Sequence, residues 1–125
     1  MPKIRHLAIK TKDPARLAKF YEEVFGMKCI HAEKSGARYM SDGYLTLAIL
    51  RNRGEATPSG INHFGFQVDD LKDGQTAIEQ AGGEFFFDLG QEGDEGFERK
   101  FKDPDGIIID ISRKGWSGTN GKGMP

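Results

Sequence analysis

Three residues of this 125-residue chain, His6, His63 and Asp110, carry side chains that could together bind a divalent metal. Two neutral imidazoles and one carboxylate fill about half of an octahedral shell and leave about three positions for water, O₂ or substrate oxygens. A lone strand histidine more often makes an ordinary hydrogen bond or faces solvent. What ties these two together is a repeat. Residues 4–13, Ile-Arg-His-Leu-Ala-Ile-Lys-Thr-Lys-Asp, align without a gap on residues 61–70, Ile-Asn-His-Phe-Gly-Phe-Gln-Val-Asp-Asp. His6 falls on His63, and a repeat of this kind governs the whole architecture.

Strand parity tests whether the three side chains can converge, because successive residues of a strand face opposite sides. His6 and Ala8 share a face opposite Leu7 and Ile9. His63, Gly65 and Gln67 oppose Phe64 and Phe66, while Ile108, Asp110 and Ser112 oppose Ile107, Ile109 and Ile111. Each strand therefore offers an apolar face for packing and one candidate ligand on the other side. Ala8 and Gly65, two places after the histidines, are small enough to leave room for a bound substrate, and Gln67 lies on the same face. Asp110 inside an isoleucine run is disfavoured by strand propensity, and a buried carboxylate needs a cation or hydrogen-bond donors.

The elements that must position these residues follow from periodicity. Each repeated strand ends in an Asp suited to cap a helix. After Asp13 come Pro14 and an apolar series, Leu17, Phe20, Tyr21 and Val24, ended by Gly26; after Asp70 come Leu71, Ala77, Ile78 and Ala81, ended by Gly82-Gly83. Extended segments follow at about 27–34, 37–41 and 44–50, then at 84–89, 96–102 and 106–112. Asp42-Gly43 and Asp105-Gly106 are the turn dipeptides before the last strand of each half. The order is βαβββ twice: an α+β domain over residues 1–114, with halves 3–50 and 61–112, a polar linker 51–60 and a loose Gly-rich end, 115–125.

A duplicated βαβββ unit with a histidine in the first strand of each half and a carboxylate in the last strand resembles the vicinal oxygen chelate superfamily. This group includes glyoxalase I, extradiol dioxygenases, fosfomycin-resistance metallotransferases, bleomycin-binding proteins and methylmalonyl-CoA epimerases. The segment Phe101-Lys-Asp-Pro-Asp-Gly-Ile-Ile-Ile-Asp110 carries the likeness most clearly. In the family, Asp-Pro-Asp-Gly is often followed four residues later by a metal-binding Glu. The resemblance implies two tandem modules forming a curved mixed sheet, helices on its outer face, a metal site in the cup, and a homodimer. Glyoxalase-like members add a carboxylate from the fourth strand, but pairing the two Asp-Gly turns sets Leu47 against Asp110, and Tyr44 to Leu50 holds no acid. The three-ligand set therefore resembles the dioxygenase and fosfomycin-resistance branches. It implies Fe(II) or Mn(II), with Zn, Ni or Co also compatible, chelating a small oxygen-bearing substrate.

His31, Tyr39, Glu98 and Lys100 are the candidate acid/base residues, and Phe97 joins Ala8, Gly65 and Gln67 as a candidate for substrate contact. Glu98-Arg99-Lys100 stands where the extradiol family has its active-site tyrosine. The competing readings are metal-assisted transfer or lyase chemistry, and a metal-free sequestering module with Phe85-Phe86-Phe87 and Phe97 along a groove. Composition narrows the class: the net charge of -1 lacks the basic excess of a nucleic-acid binder, and no stretch reaches the roughly 18 apolar residues of a membrane span. The N-terminus lacks the apolar core of a signal peptide, so the chain reads as cytoplasmic. Cys29 is the only cysteine, which excludes an internal disulfide; beside Met27 and Ile30 it is expected to be a buried thiol.

Overall fold

Asp13 and Asp70 each stop a strand and start a helix. In the computed structural model, which describes residues 1–54 and 58–119, the Asp13 carboxylate accepts from the Arg16 backbone N–H at 3.2 Å and Asp70 accepts from Asp73 N–H at 2.8 Å. These bonds satisfy amides that a first helical turn leaves unpaired. The order is β1 (Lys3–Thr11), α1 (Pro14–Phe25), β2 (Lys28–Ala32), β3 (Arg38–Ser41), β4 (Thr46–Arg51), β5 (Gly60–Gln67), α2 (Leu71–Gln80), β6 (Glu84–Leu89), β7 (Glu98–Lys102) and β8 (Ile108–Ser112). This is βαβββ twice. Gly26 closes α1 in the left-handed region, at φ 70°, where its amide returns to the carbonyl of Glu22.

One eight-stranded mixed sheet runs β2-β3-β4-β1-β5-β8-β7-β6. β1 and β5 pair antiparallel at its centre, and each is flanked by the last strand of its own half, β4 or β8, in parallel. The helices cover one face. Leu7, Ile9, Leu17, Ala18, Tyr21 and Ile49 pack together under α1; Phe66, Leu71, Ile78, Phe101, Ile109 and Ile111 pack under α2. Burial of such side chains, worth about 1.5–3 kcal/mol each, is what fixes strand parity. His6, His63 and Asp110 consequently point away from the helices, into the cup.

Several sequence expectations need correction. Phe20 and Val24 belong to the apolar series of α1 but stay about half exposed, because only the Leu17–Ala18–Tyr21 stripe meets the sheet. Cys29 is exposed rather than buried, since β2 is an edge strand with no helix over it. The ladder pairs Ala8 with Ala48 and Gly65 with Asp110, so the residue equivalent to Asp110 is Ala48, not Leu47. Asp42-Gly43 stands one residue further from its strand than Asp105-Gly106, which causes the slip. The fourth strand still offers no acid at that place. Residues 115–119 of the expected loose end pack into the cup, while 120–125, like 55–57 of the expected linker, lie outside the described residues.

Candidate metal centre

The central antiparallel pair brings the repeat's two histidines together. His6 stands across from Gly65, and Ala8 across from His63, so each imidazole faces the small residue that follows the other. Gly65 also pairs with Asp110 on its far side. The row His6–Gly65–Asp110 thus has a glycine at its middle, and a Cβ there would lie 3.2 Å from the His6 ring. The imidazole nitrogens meet at 3.4 Å, Nε2 to Nε2. Asp110 Oδ2 lies 3.5 Å from His6 Nε2 and 3.4 Å from His63 Nε2.

These three edges suit a single ion. Ligands about 2.1 Å from one centre stand roughly 3.0–3.4 Å apart. Asp110 is wholly buried, and its Oδ2, aimed at both histidines, has no hydrogen-bond partner among the described residues. Its other oxygen is taken: Lys100 Nζ donates to Oδ1 at 2.8 Å and to Glu98 Oε1 at 3.2 Å. One carboxylate oxygen is pinned and the other is left over, facing two nitrogens. His63 is oriented through Nδ1, 2.7 Å from Asn62 Oδ1, which leaves Nε2 as the inward atom.

The electrostatics agree. Burial, followed by the nearby Lys100 ammonium, lowers His63 to about 3; burial likewise lowers His6 to about 4, with Glu98 pulling the other way. Both imidazoles are neutral near pH 7 and hold a lone pair for a metal. Burial, reinforced by Glu98, raises Asp110 to about 7 against the opposing pull of Lys100. Glu98 is held below the ordinary carboxylate range: burial alone would raise it, but Lys100, His6 and the Trp116 N–H outweigh that.

Trp116, in the Gly-rich segment after β8, joins the site without any signal in the local sequence pattern. Its indole stacks on the His6 ring, centroids 4.9 Å apart and planes 10° apart, and its Nε1–H donates to Glu98 Oε2 at 2.5 Å. A Cβ on residue 65 would lie 2.8 Å from the indole. The room at Gly65 is therefore filled by this side chain and not by a substrate. A strand glycine signals a close approach of this kind. The strap that carries Trp116 is tied down by Ser41 Oγ–H to the Gly118 carbonyl (2.7 Å) and Thr46 Oγ–H to the Ser117 carbonyl (2.8 Å).

A cleft of about 340 Å³ lies beyond Trp116, and its wall includes His31, Tyr39 and Glu98. His31 and Tyr39 stack at 5.9 Å on β2 and β3, three and two places across the sheet from the β1 strand that carries His6. Burial, then Glu33, raises the Tyr39 hydroxyl above the ordinary tyrosine range. Lys100 is buried against Asp110 outside the cleft wall. Gln67 bonds the Arg113 carbonyl at 3.2 Å and supports the strap near Gly115. Phe97 is buried under the Arg99 guanidinium, 5.3 Å from its ring centroid, and lines a separate pocket beside Leu71. Ala8 is fully buried. Neither Phe97 nor Ala8 reaches the cleft.

Comparison with known proteins matches this architecture. The model of the Glyoxalase/Bleomycin resistance protein/Dioxygenase superfamily fits residues 3–111. A probable trivalent organoarsenical cleaving enzyme of Bacillus subtilis (strain 168) is 30% identical over 68 residues, 54% of this chain and 47% of that protein. The chain thus spans about half the length of this curated relative. Among solved structures, the 2,3-dioxygenase LapB from Pseudomonas sp. KL28 superposes with a TM-score of 0.71 at 20% identity, covering 95% of this chain and 43% of the other. A methylmalonyl-CoA epimerase in complex with methylmalonyl-CoA and NH4+ superposes at 0.66, with 21% identity over 89% and 93% of the two chains. These structural likenesses concern the fold. With the family model covering both halves of the repeat and the two histidines it relates, this chain belongs to the Glyoxalase/Bleomycin resistance protein/Dioxygenase superfamily.

Proposed function

We propose that this chain is a metal-dependent enzyme in which His6, His63 and Asp110 hold one divalent ion, Fe(II) or Mn(II), and which acts on a small oxygen-bearing substrate. The observation that carries this reading is the buried Asp110 Oδ2, which has no hydrogen-bond partner among the described residues and faces two neutral imidazole nitrogens at 3.4 and 3.5 Å. When bound, the ion supplies Lewis-acid polarisation of substrate oxygens, and with iron it also supplies O₂ chemistry. The chain's own residues do the rest. Lys100 occupies Asp110 Oδ1 and confines ligation to Oδ2. Glu98 lines the cleft and lies 3.9 Å from His6 Nε2, the place for a group that accepts a proton from entering substrate. Trp116 shields His6 and keeps water from that side.

The three-ligand set, with no acid at Ala48, favours a dioxygenase-like reaction over one that needs a fourth protein ligand. Cleavage of trivalent organoarsenicals is disfavoured here, because such substrates are thiophilic and Cys29, the sole cysteine, is absent from the cleft wall. We further propose a cytoplasmic homodimer: the single exposed thiol suits a reducing compartment, and both edge strands, β2 and β6, are exposed along their length. Elemental analysis of protein purified without chelator is expected to find about one iron or manganese per chain, reduced at least tenfold in His6→Ala, His63→Ala and Asp110→Ala. Metal absent from the parent protein, and uptake undiminished in the variants, would refute the reading. O₂ consumption with catechols then separates dioxygenase from transfer or lyase chemistry.

A further inference from the structure

The metal ligands and the cleft do not meet. His6, His63 and Asp110 are buried, and none of the three belongs to the cleft wall. Trp116 is common to both, since its indole stacks on the His6 ring and also lines the cleft. Two of its ring carbons stand over Gly65, 2.8 Å from where a Cβ would lie, so the indole covers the row His6–Gly65–Asp110 at its middle, from the cup side. Its Nε1–H also occupies Glu98 Oε2, the oxygen 3.9 Å from His6 Nε2. One side chain thus closes the way from the cleft to the ligands and holds the nearest carboxylate.

The strap that carries Trp116 is built differently from the sheet beneath it. Residues 113–119 belong to no strand, and among the described residues the backbone–backbone hydrogen bond of 115–119 is internal, from Thr119 N–H to the Trp116 carbonyl. Only two hydroxyl groups, those of Ser41 and Thr46, tie its carbonyls to the sheet. Gly115 and Gly118, at φ 76° and 80°, bracket the indole and can change dihedral angles without a side-chain clash of their own. A segment so tied opens locally while the strands keep their ladders. We propose that Trp116 is a gate: the strap, turning at Gly115 and Gly118, carries the indole off His6, and this one movement joins the cleft to the metal ligands and frees Glu98 Oε2 for substrate. The inference rests on the metal-enzyme reading. The closed state is the one described above, and substrate reaches the ligands only in the open one, so the open fraction scales its apparent affinity.

Diethylpyrocarbonate acylates accessible imidazoles, and peptide mass spectrometry follows each histidine of the full chain separately. His31, exposed on β2, is the internal standard. With chelator present, we expect His6 to react about ten- to a thousandfold more slowly than His31, yet to completion. Ser41→Ala/Thr46→Ala, which cuts both ties, should raise the His6 rate about fivefold or more and, in step with it, the acrylamide quenching of Trp116, the only tryptophan. Reaction of His6 as fast as His31 means an open site, and no reaction at His6 means a fixed plug; either result overturns the gate. So does a loosened strap that exposes Trp116 and leaves the His6 rate unchanged. The rates in the parent protein stand whether or not the variant folds. Repeating the measurement with Mn(II) separates the two readings: an ion held by the triad protects His6 and His63 in both proteins, whereas absence of protection counts against the metal centre and leaves the gate as measured without metal.

Discussion

At the scale of single residues, the centre is governed by how Asp110 is satisfied. Lys100 balances one of its oxygens, and the other is left facing His6 and His63. With Asp110 raised to about 7 and the imidazoles lowered to about 3 and 4, metal must displace a proton from the carboxyl group and none from the histidines. Calorimetric titration with Mn(II) at pH 6, in buffers of different ionisation enthalpy, is therefore expected to show release of about one proton per ion, falling toward zero above pH 8. Release of two or more protons would mean that the histidines are charged in the free protein. In the chain without metal, the same shifts act on stability in opposite senses. The histidines, depressed when folded, lose their contribution as pH falls from about 6.5 toward about 4 for His6 and about 3 for His63; Asp110, elevated when folded, loses its contribution as pH rises from about 4 to about 7.

Among the elements, the strap after β8 was the least legible. Residues 115–125 read as a loose, Gly-rich end, yet Trp116 stacks on His6, and Ser41 and Thr46, side chains that look ordinary in sequence, hold the strap's backbone. These contacts join β3, β4 and the C-terminal segment across about seventy residues, a separation that local pattern does not encode. Gly65 was legible as a small residue beside a ligand, but its occupant was not. Substituting Gly65→Ala sets a methyl group 2.8 Å from the indole and is expected to cost about 1–3 kcal/mol in urea unfolding, with a red-shifted Trp116 emission as the ring leaves His6. Parent-like emission and stability would show that the strap gives way freely.

For the molecule as a whole, the open sheet has two unpaired ends, and β2 and β6 carry exposed Ile30, Phe85, Phe86, Phe87 and Leu89. Long apolar edges invite pairing. Light scattering at micromolar concentration is expected to give twice the chain mass of 13.9 kDa. A monomeric mass would remove the dimer from the proposed function while leaving the metal centre as described, since all three donors come from one chain.

The sequence by itself determined the duplicated βαβββ order, the helix caps and the inward parity of His6, His63 and Asp110. Each of these follows from local periodicity or from a repeat that can be aligned residue by residue. Tertiary structure decided what depends on contacts between distant segments. It set the register that makes Ala48, not Leu47, the counterpart of Asp110, and the Lys100–Glu98 pair that pins one carboxylate oxygen. It also seated Trp116 over Gly65, between the cleft and the metal ligands. A strand's pattern states which side faces the core, but the neighbour across the cup is chosen only when the sheet curves and the chain end crosses it.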